Sequence, residues 1–178
     1  MRRNSFKNKR YYHLNLDFDT HPLFKELDWI FIQKKIRNVA FLFKINIHAL
    51  IMMDTHIHLL LSSDDKNENF FCEHFQKQIS PKKTIDCFCE PIHDYSQYLN
   101  TYKYLYRNPV EAGLCSRAEF FPYSSLQIIL GKSVGYVEID DQLGIIQNPM
   151  QILKWINSDG DFKNSQLKLL RQDNSLSM

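Results

Sequence analysis

The chain predicts an α+β fold of the ferredoxin-like, split βαβ kind, an antiparallel sheet with helices laid on it. Three observations predict this. Segments with apolar residues at alternate positions and segments of helical spacing follow in the order strand, helix, strand, strand, helix, strand. The second of the two central strands follows after Asp54-Thr55, a turn that makes an antiparallel hairpin. At 178 residues, with ordinary apolar and charged fractions, the chain has material for one domain with a proper core.

Taken in order, Tyr11 to Phe18 alternates as a strand. Asp19-Thr20-His21-Pro22 is turn chemistry, with Pro22 near a helix start. Leu23, Leu27, Ile30, Phe31 and Lys34 recur at helical spacing and predict a helix to about Asn38, with Trp29 in the core or in a ligand groove. Phe43 to Ala49 alternates as a half-buried strand, which puts His48 on its outer face in a structural role. The strand His56 to Leu61 follows, then a polar loop from Ser62 to Asn69. Phe70 to Gln78 predicts a short helix with Pro81 beyond it, and Thr84 to Cys89 a strand. Further on, Ser116-x-x-Glu119 has capping-box spacing, Val134 to Ile139 is strand-like, and Asn148 to Ile156 predicts a helix holding Trp155. The last fourteen residues are expected to be disordered.

Two stretches carry chemistry. On the strand from His56, successive side chains point to opposite faces, so His56 and His58 share one face while Ile57, Leu59 and Leu61 share the other. Two imidazoles side by side on rigid backbone are half of a divalent-metal site, and equally fit a surface strand that happens to carry histidines. The run from Asp94 to Pro109 predicts one helix, capped by Asp94 and bounded by Pro109, which disfavours helical geometry at Asn108. Plotted at about 100° per residue from Tyr95, residues Tyr98, Leu99, Tyr102, Leu105 and Tyr106 form a core-facing stripe. Core packing accounts for those tyrosines. It does not account for Tyr104, which falls about 180° away, one turn before Asn108. A phenol and an amide at that spacing suit a nucleophile beside a weak oxygen ligand.

A His-hydrophobic-His strand followed by a helix ending Tyr-x-x-x-Asn-Pro resembles the single-tyrosine HUH transposases, and among them the REP-associated tyrosine transposases. Tyr12-His13-Leu14 resembles the family's opening strand, and Pro22-Leu23-Phe24 the phrase leading into its first helix. His48-Ala49, Met53 and the His pair resemble its central strands. Asn108-Pro109-Val110-Glu111-Ala112-Gly113-Leu114 is similar to its Asn-Pro-Val-Arg-Ala-Gly signature, and Phe121-Pro122-Tyr123-Ser124-Ser125 to its Pro-Trp-Ser-Ser. The resemblance covers residues 11–131 in the family's order. It divides the chain into a basic arm (1–10), a catalytic domain (11–131) and a C-terminal extension (132–178). Asp54-Thr55 departs from the usual Pro-Asn, Glu111 from Arg and Tyr123 from Trp, and the Trp-x-x-Arg-Phe phrase before the tyrosine helix is missing.

The resemblance implies an HUH endonuclease fold in which Tyr104 attacks a phosphodiester of single-stranded or hairpin DNA, leaving a 5′-phosphotyrosine. His56, His58 and Asn108 would hold Mg²⁺ or Mn²⁺, and two imidazoles tilt the site towards Mn²⁺. The competing reading is a catalytically inactive single-stranded nucleic-acid-binding or regulatory protein derived from a transposase. A phosphodiesterase using water in place of tyrosine is a third. The net charge of +2 hides an uneven spread: Arg2, Arg3, Lys7, Lys9 and Arg10 give the first ten residues +5 and leave −3 on the rest. Such an arm suits phosphate contacts, or is simply a solvated terminus. Cys72, Cys87, Cys89 and Cys115 lack Cys-x-x-Cys spacing, so reduced thiols in a cytoplasmic protein are expected. No apolar run is long enough to span a membrane, and a monomer or homodimer fits equally.

Overall fold

Apolar residues at every second position need cover on one side only, and the four strands of this chain find it on both. In the computed structural model, residues 9–17, 26–79 and 86–159 are described. The strands are β1 (Arg10–Asp17), β2 (Ile45–Met52), β3 (His56–Ser63) and β4 (Asp86–Ile92). They form one antiparallel sheet in the order β2-β3-β1-β4, the order of the split βαβ fold. Helices α1 (Glu26–Phe43) and α2 (Glu68–Ile79) cover one face, burying Trp29, Ile32, Ile36, Val39, Phe71 and Phe75 against Leu14, Leu16, Ile57, Leu59 and Leu61.

The other face is covered by α3 (Tyr95–Glu111), a single 3-10 turn (Ala118–Phe120), α4 (Ser125–Ile129) and α5 (Pro149–Ile156). Here Tyr98, Leu99, Tyr102, Leu105 and Tyr106, all buried, are the expected stripe. Ile152, Trp155 and Ile156 of α5 and Ile145 before it join the same cluster. The chain from Phe121 to Asp140 also closes the open edge of β2. Tyr123 O accepts from Met52 N–H, Ser125 Oγ from Leu50 N–H, and Ile47 O from Asp140 N–H. An edge so occupied offers little to a foreign strand.

Several expectations are corrected. Helix α1 runs on to Phe43, since nothing between Asn38 and Lys44 breaks it, and Lys44 in a left-handed conformation (φ 52°) ends it. Its buried stripe is Trp29, Ile32, Ile36 and Val39, while Phe31 is exposed. Helix α3 passes through Pro109 instead of ending before it. The break comes at Gly113 (φ 73°), where Leu114 N–H bonds Pro109 O and Gly113 N–H bonds Val110 O. Residues 134–139 make one parallel bridge, Ile47 to Ile139, and no strand. Glu119 caps nothing through Ser116; it binds Arg117 and Asn157. The turn at 19–22, the phrase 22–24, Pro81 and the last fourteen residues lie outside the described residues. No described helix is long and apolar enough to cross a membrane.

Candidate functional site

The site is built where α3 crosses the histidine face of the sheet. Asp94 starts α3 by accepting a hydrogen bond from Gln97 N–H (2.8 Å), while Gln97 Oε1 accepts from His93 N–H (2.8 Å). From that fixed start the helix turns its stripe into the core and leaves Tyr104 47% exposed. Because the helix continues a turn past Asn108, that amide sits on rigid backbone one turn beyond Tyr104.

The strands bring three histidines to the same place. His58 faces Asn15 across β1 and Ile51 across β2, and His13 precedes Asn15 on the same face of β1. His58 Nδ1 lies 3.1 Å from His13 Nε2, and His58 Nε2 lies 2.8 Å from the Asn108 side-chain nitrogen. The His56 ring is 4.6 Å from that of His58, and its Nδ1 is 3.0 Å from the Thr55 hydroxyl. Tyr104 stands edge-on to two of these rings, 6.0 Å from His58 and 6.2 Å from His13. The expected residues Tyr104, His56, His58 and Asn108 therefore meet in space. His13 joins them without having been expected there.

Electrostatics keep the imidazoles neutral. Burial holds His58 down at about 3, and the neighbouring His13 and His56 push the same way. Burial also lowers His13, against the pull of Glu90, and lowers His56 against Asp17 and Asp54. Neutral imidazole is the form that binds a metal. The pairing with His13 suits a proton on His58 Nδ1, which leaves the Nε2 lone pair pointing at Asn108. Turned over, the Asn108 amide would put its oxygen about 3 Å from that lone pair, the spacing of adjacent donors on one octahedral ion. His56, with Nδ1 on Thr55, has Nε2 left. This donor set fits a divalent cation through two imidazoles and one amide. No group of three or more His, Cys, Asp or Glu among the described residues could hold an ion by itself.

Two features of the surrounding face were not legible as site residues. Asn15, between His13 and Asp17, has its side-chain oxygen buried without a hydrogen-bond partner. Phe88 on β4, 56% exposed, lies in the cross-strand row Phe88–Asn15–His58. Of the basic arm, Arg2, Arg3 and Lys7 lie outside the described residues. Lys9 is half-buried, and exposed Arg10 opens β1 opposite Ser63. Arg10 is thus five residues, roughly 17 Å, along β1 from the Asn15–His58 pair.

No protein-family model and no curated protein matches the chain. Among solved structures it is similar to a REP-associated tyrosine transposase determined bound to a REP hairpin. The two are 17% identical, the match covers 88% of each chain, and the TM-score is 0.59. At that identity the likeness is one of fold, and it agrees with the α+β, four-stranded antiparallel architecture expected from the order of elements.

Proposed function

We propose that this protein is a transposase-like enzyme that nicks and rejoins single-stranded DNA at hairpin-associated sites, with Tyr104 as nucleophile. One observation carries the reading: the only tyrosine of α3 turned away from the core stripe into solvent stands over His58, one turn before the amide that meets the same imidazole. The fold shared with a hairpin-bound tyrosine transposase supports it.

In this reading His56, His58 and the Asn108 oxygen hold Mg²⁺ or Mn²⁺. The cation, when bound, draws charge from the scissile phosphate and orients it for in-line attack. His13 holds the His58 ring and its tautomer. The Tyr104 oxygen forms a bond to phosphorus as the bond to the 3′ oxygen breaks, giving a 5′-phosphotyrosine and a free 3′-hydroxyl. A phenol titrating near pH 10 is a better leaving group than an alkoxide, so the bond can be reversed and the strand rejoined. Phe88 offers a base a stacking surface beside the histidine row. The basic residues of 1–10 add phosphate contacts away from the chemistry.

The test is covalent capture. Parent protein, Mn²⁺ and single-stranded hairpin oligonucleotides should give an adduct that survives SDS. Tyr104→Phe should give none while folding and binding DNA as the parent does. An adduct in Tyr104→Phe would move the nucleophile elsewhere. No adduct from the parent on any hairpin, with DNA binding intact, would leave the non-catalytic binding protein as the function.

A further inference from the structure

The histidine face continues across β1 to β4 and ends there in an exposed aromatic ring. Phe88 stands midway along β4, 56% exposed, in the row Phe88–Asn15–His58. The strand period and the register fix its neighbours on that face. Asp86 and Glu90, both exposed, stand two residues before and after it on β4. Asn15 lies directly across on β1, between His13 and Asp17.

These neighbours offer acceptors. Asp86, Glu90 and Asp17 are carboxylates, and His13 is already turned to His58. The Asn15 side-chain oxygen is buried with no hydrogen-bond partner, a cost that an incoming N–H would remove. No lysine or arginine stands on this face of β1 or β4. Such a rim repels phosphate and suits a group that brings N–H donors to the ring. A lysine or arginine side chain is one such group, lying over the ring between carboxylates. A nucleobase with an exocyclic amine is the other, with a flat face to stack and a donor edge. Position decides between them. The row sets Phe88 two strand spacings, roughly 10 Å, from His58, so the ring extends the floor of the candidate site.

We propose that Phe88, Asn15 and Glu90 form a base subsite that takes a nucleobase with an exocyclic amine and rejects thymine and uracil. The inference rests on the reading of the histidine face as a single-stranded DNA site. Phe88 stacks on the base, while the Glu90 carboxylate and the Asn15 oxygen accept from the amine. Thymine and uracil carry a carbonyl where cytosine carries its amine. That oxygen would meet the oxygens of the rim and leave the buried Asn15 acceptor unpaired.

The test is fluorescence anisotropy of the full chain with oligo-dC and oligo-dU of equal length, at about pH 8 in EDTA. Neither a cation nor covalent chemistry then contributes. Oligo-dC should bind about tenfold tighter than oligo-dU. Glu90→Gln, whose amide can donate to the uracil carbonyl, should bring the two within about threefold. Phe88→Ala should weaken both about tenfold, and Phe88→Trp should restore them. Both positions are exposed, so these variants keep the fold. Preference for oligo-dC lost in Glu90→Gln, with no SDS-resistant adduct on any hairpin, would keep the subsite in a non-catalytic binding protein. Equal affinity of the parent for the two strands, or parent affinity in Phe88→Ala, would overturn the subsite even with adduct formation intact. So would an octalysine peptide that binds the parent and not Phe88→Ala while the two strands bind alike, which would give the ring to a cationic side chain.

Discussion

His48 and His58 lie on the same face of the same sheet, both buried, and they differ in what holds the second ring nitrogen. His48 occupies a bulge in β2, between Ile47 and Ala49. Its Nε2 meets the Ser62 hydroxyl at 2.9 Å and its Nδ1 the Asp140 carbonyl at 3.3 Å, with Tyr11 and Tyr98 packed around the ring. Both nitrogens have fixed partners that a ligand would have to displace. Four residues back along β3, His58 is as neutral, but its Nε2 meets only an amide that can rotate, and Tyr104 above it is open to solvent. Burial alone does not distinguish a structural histidine from a ligand. What distinguishes them is whether the second nitrogen's partner is locked.

The largest expected effect breaks this comparison if it fails. His58→Ala, or His56→Ala, should cut Mn²⁺ affinity and cleavage of the folded fraction by at least about a hundredfold, because half the imidazole donors go. His48→Ala should cost stability and spare binding. It orphans Ser62 and opens a cavity, costing about 2–4 kcal/mol in urea denaturation, while the folded fraction binds Mn²⁺ as the parent does. Asn108→Ala should be milder than either ligand histidine, since water replaces an amide oxygen. Titration calorimetry with Mn²⁺ and oligonucleotide cleavage read one axis, and the urea midpoint reads the other. Parent-rate cleavage by His58→Ala would remove the metal site.

The sequence made the open half of this face more legible than the closed half, and the reason is range. A period of two is local, so His56 and His58 can be placed on one face from their spacing alone. The tyrosine stripe and the outlying Tyr104 follow from a period of 3.6 in the same way. His48 was expected on the outer face of its strand, and it does leave the face occupied by Ile45 and Ile47. That face is buried because residues from α3 and from 139–141 return to cover it, which no local pattern announces. His13 meets His58 through the β1–β3 register, a pairing that depends on the assembled sheet. Pro109 misled for a different cause: the helix tolerates the missing N–H because its real stop is at Gly113.

A second prediction uses acid to sharpen the comparison. The unfolded histidines titrate near 6.5, whereas burial holds folded His48 down at about 4 and folded His58 at about 3. Between pH 6.5 and 4 the unfolded chain binds protons that the folded chain refuses, so stability falls as pH falls. Each histidine should contribute a slope of about 1.4 kcal/mol per pH unit below 6.5, and His13 and His56, also lowered, act in the same direction. Urea midpoints from pH 7 to pH 5 read the sum. His48→Ala and His58→Ala should each flatten the curve. Saturating Mn²⁺ should raise the parent and His48→Ala curves and leave His58→Ala unchanged, because in the proposed site the cation binds the folded chain through His58. An equal rise in all three would place the cation elsewhere.

The smallest effect separates two hydroxyls on one helix. Tyr106 lies two residues after Tyr104, on the opposite side of α3, fully buried. Its hydroxyl is 2.8 Å from Ser125 Oγ, which also accepts from Leu50 N–H at the edge of β2. That contact belongs to the closed half: it helps fasten α4 and α3 to the sheet. Tyr106→Phe keeps the ring and its edge-on contact with Tyr102, removes one hydrogen bond, and leaves Ser125 still bonded to Leu50. The expected loss is about 1 kcal/mol in urea denaturation, with the SDS-resistant DNA adduct formed at the parent rate. Tyr104→Phe, the same chemical change one-half turn away, should lose the adduct and keep the stability. If Tyr106→Phe abolishes the adduct at parent stability and Tyr104→Phe retains it, the closed half holds the nucleophile and the division between the two histidine environments is not the one that matters for function.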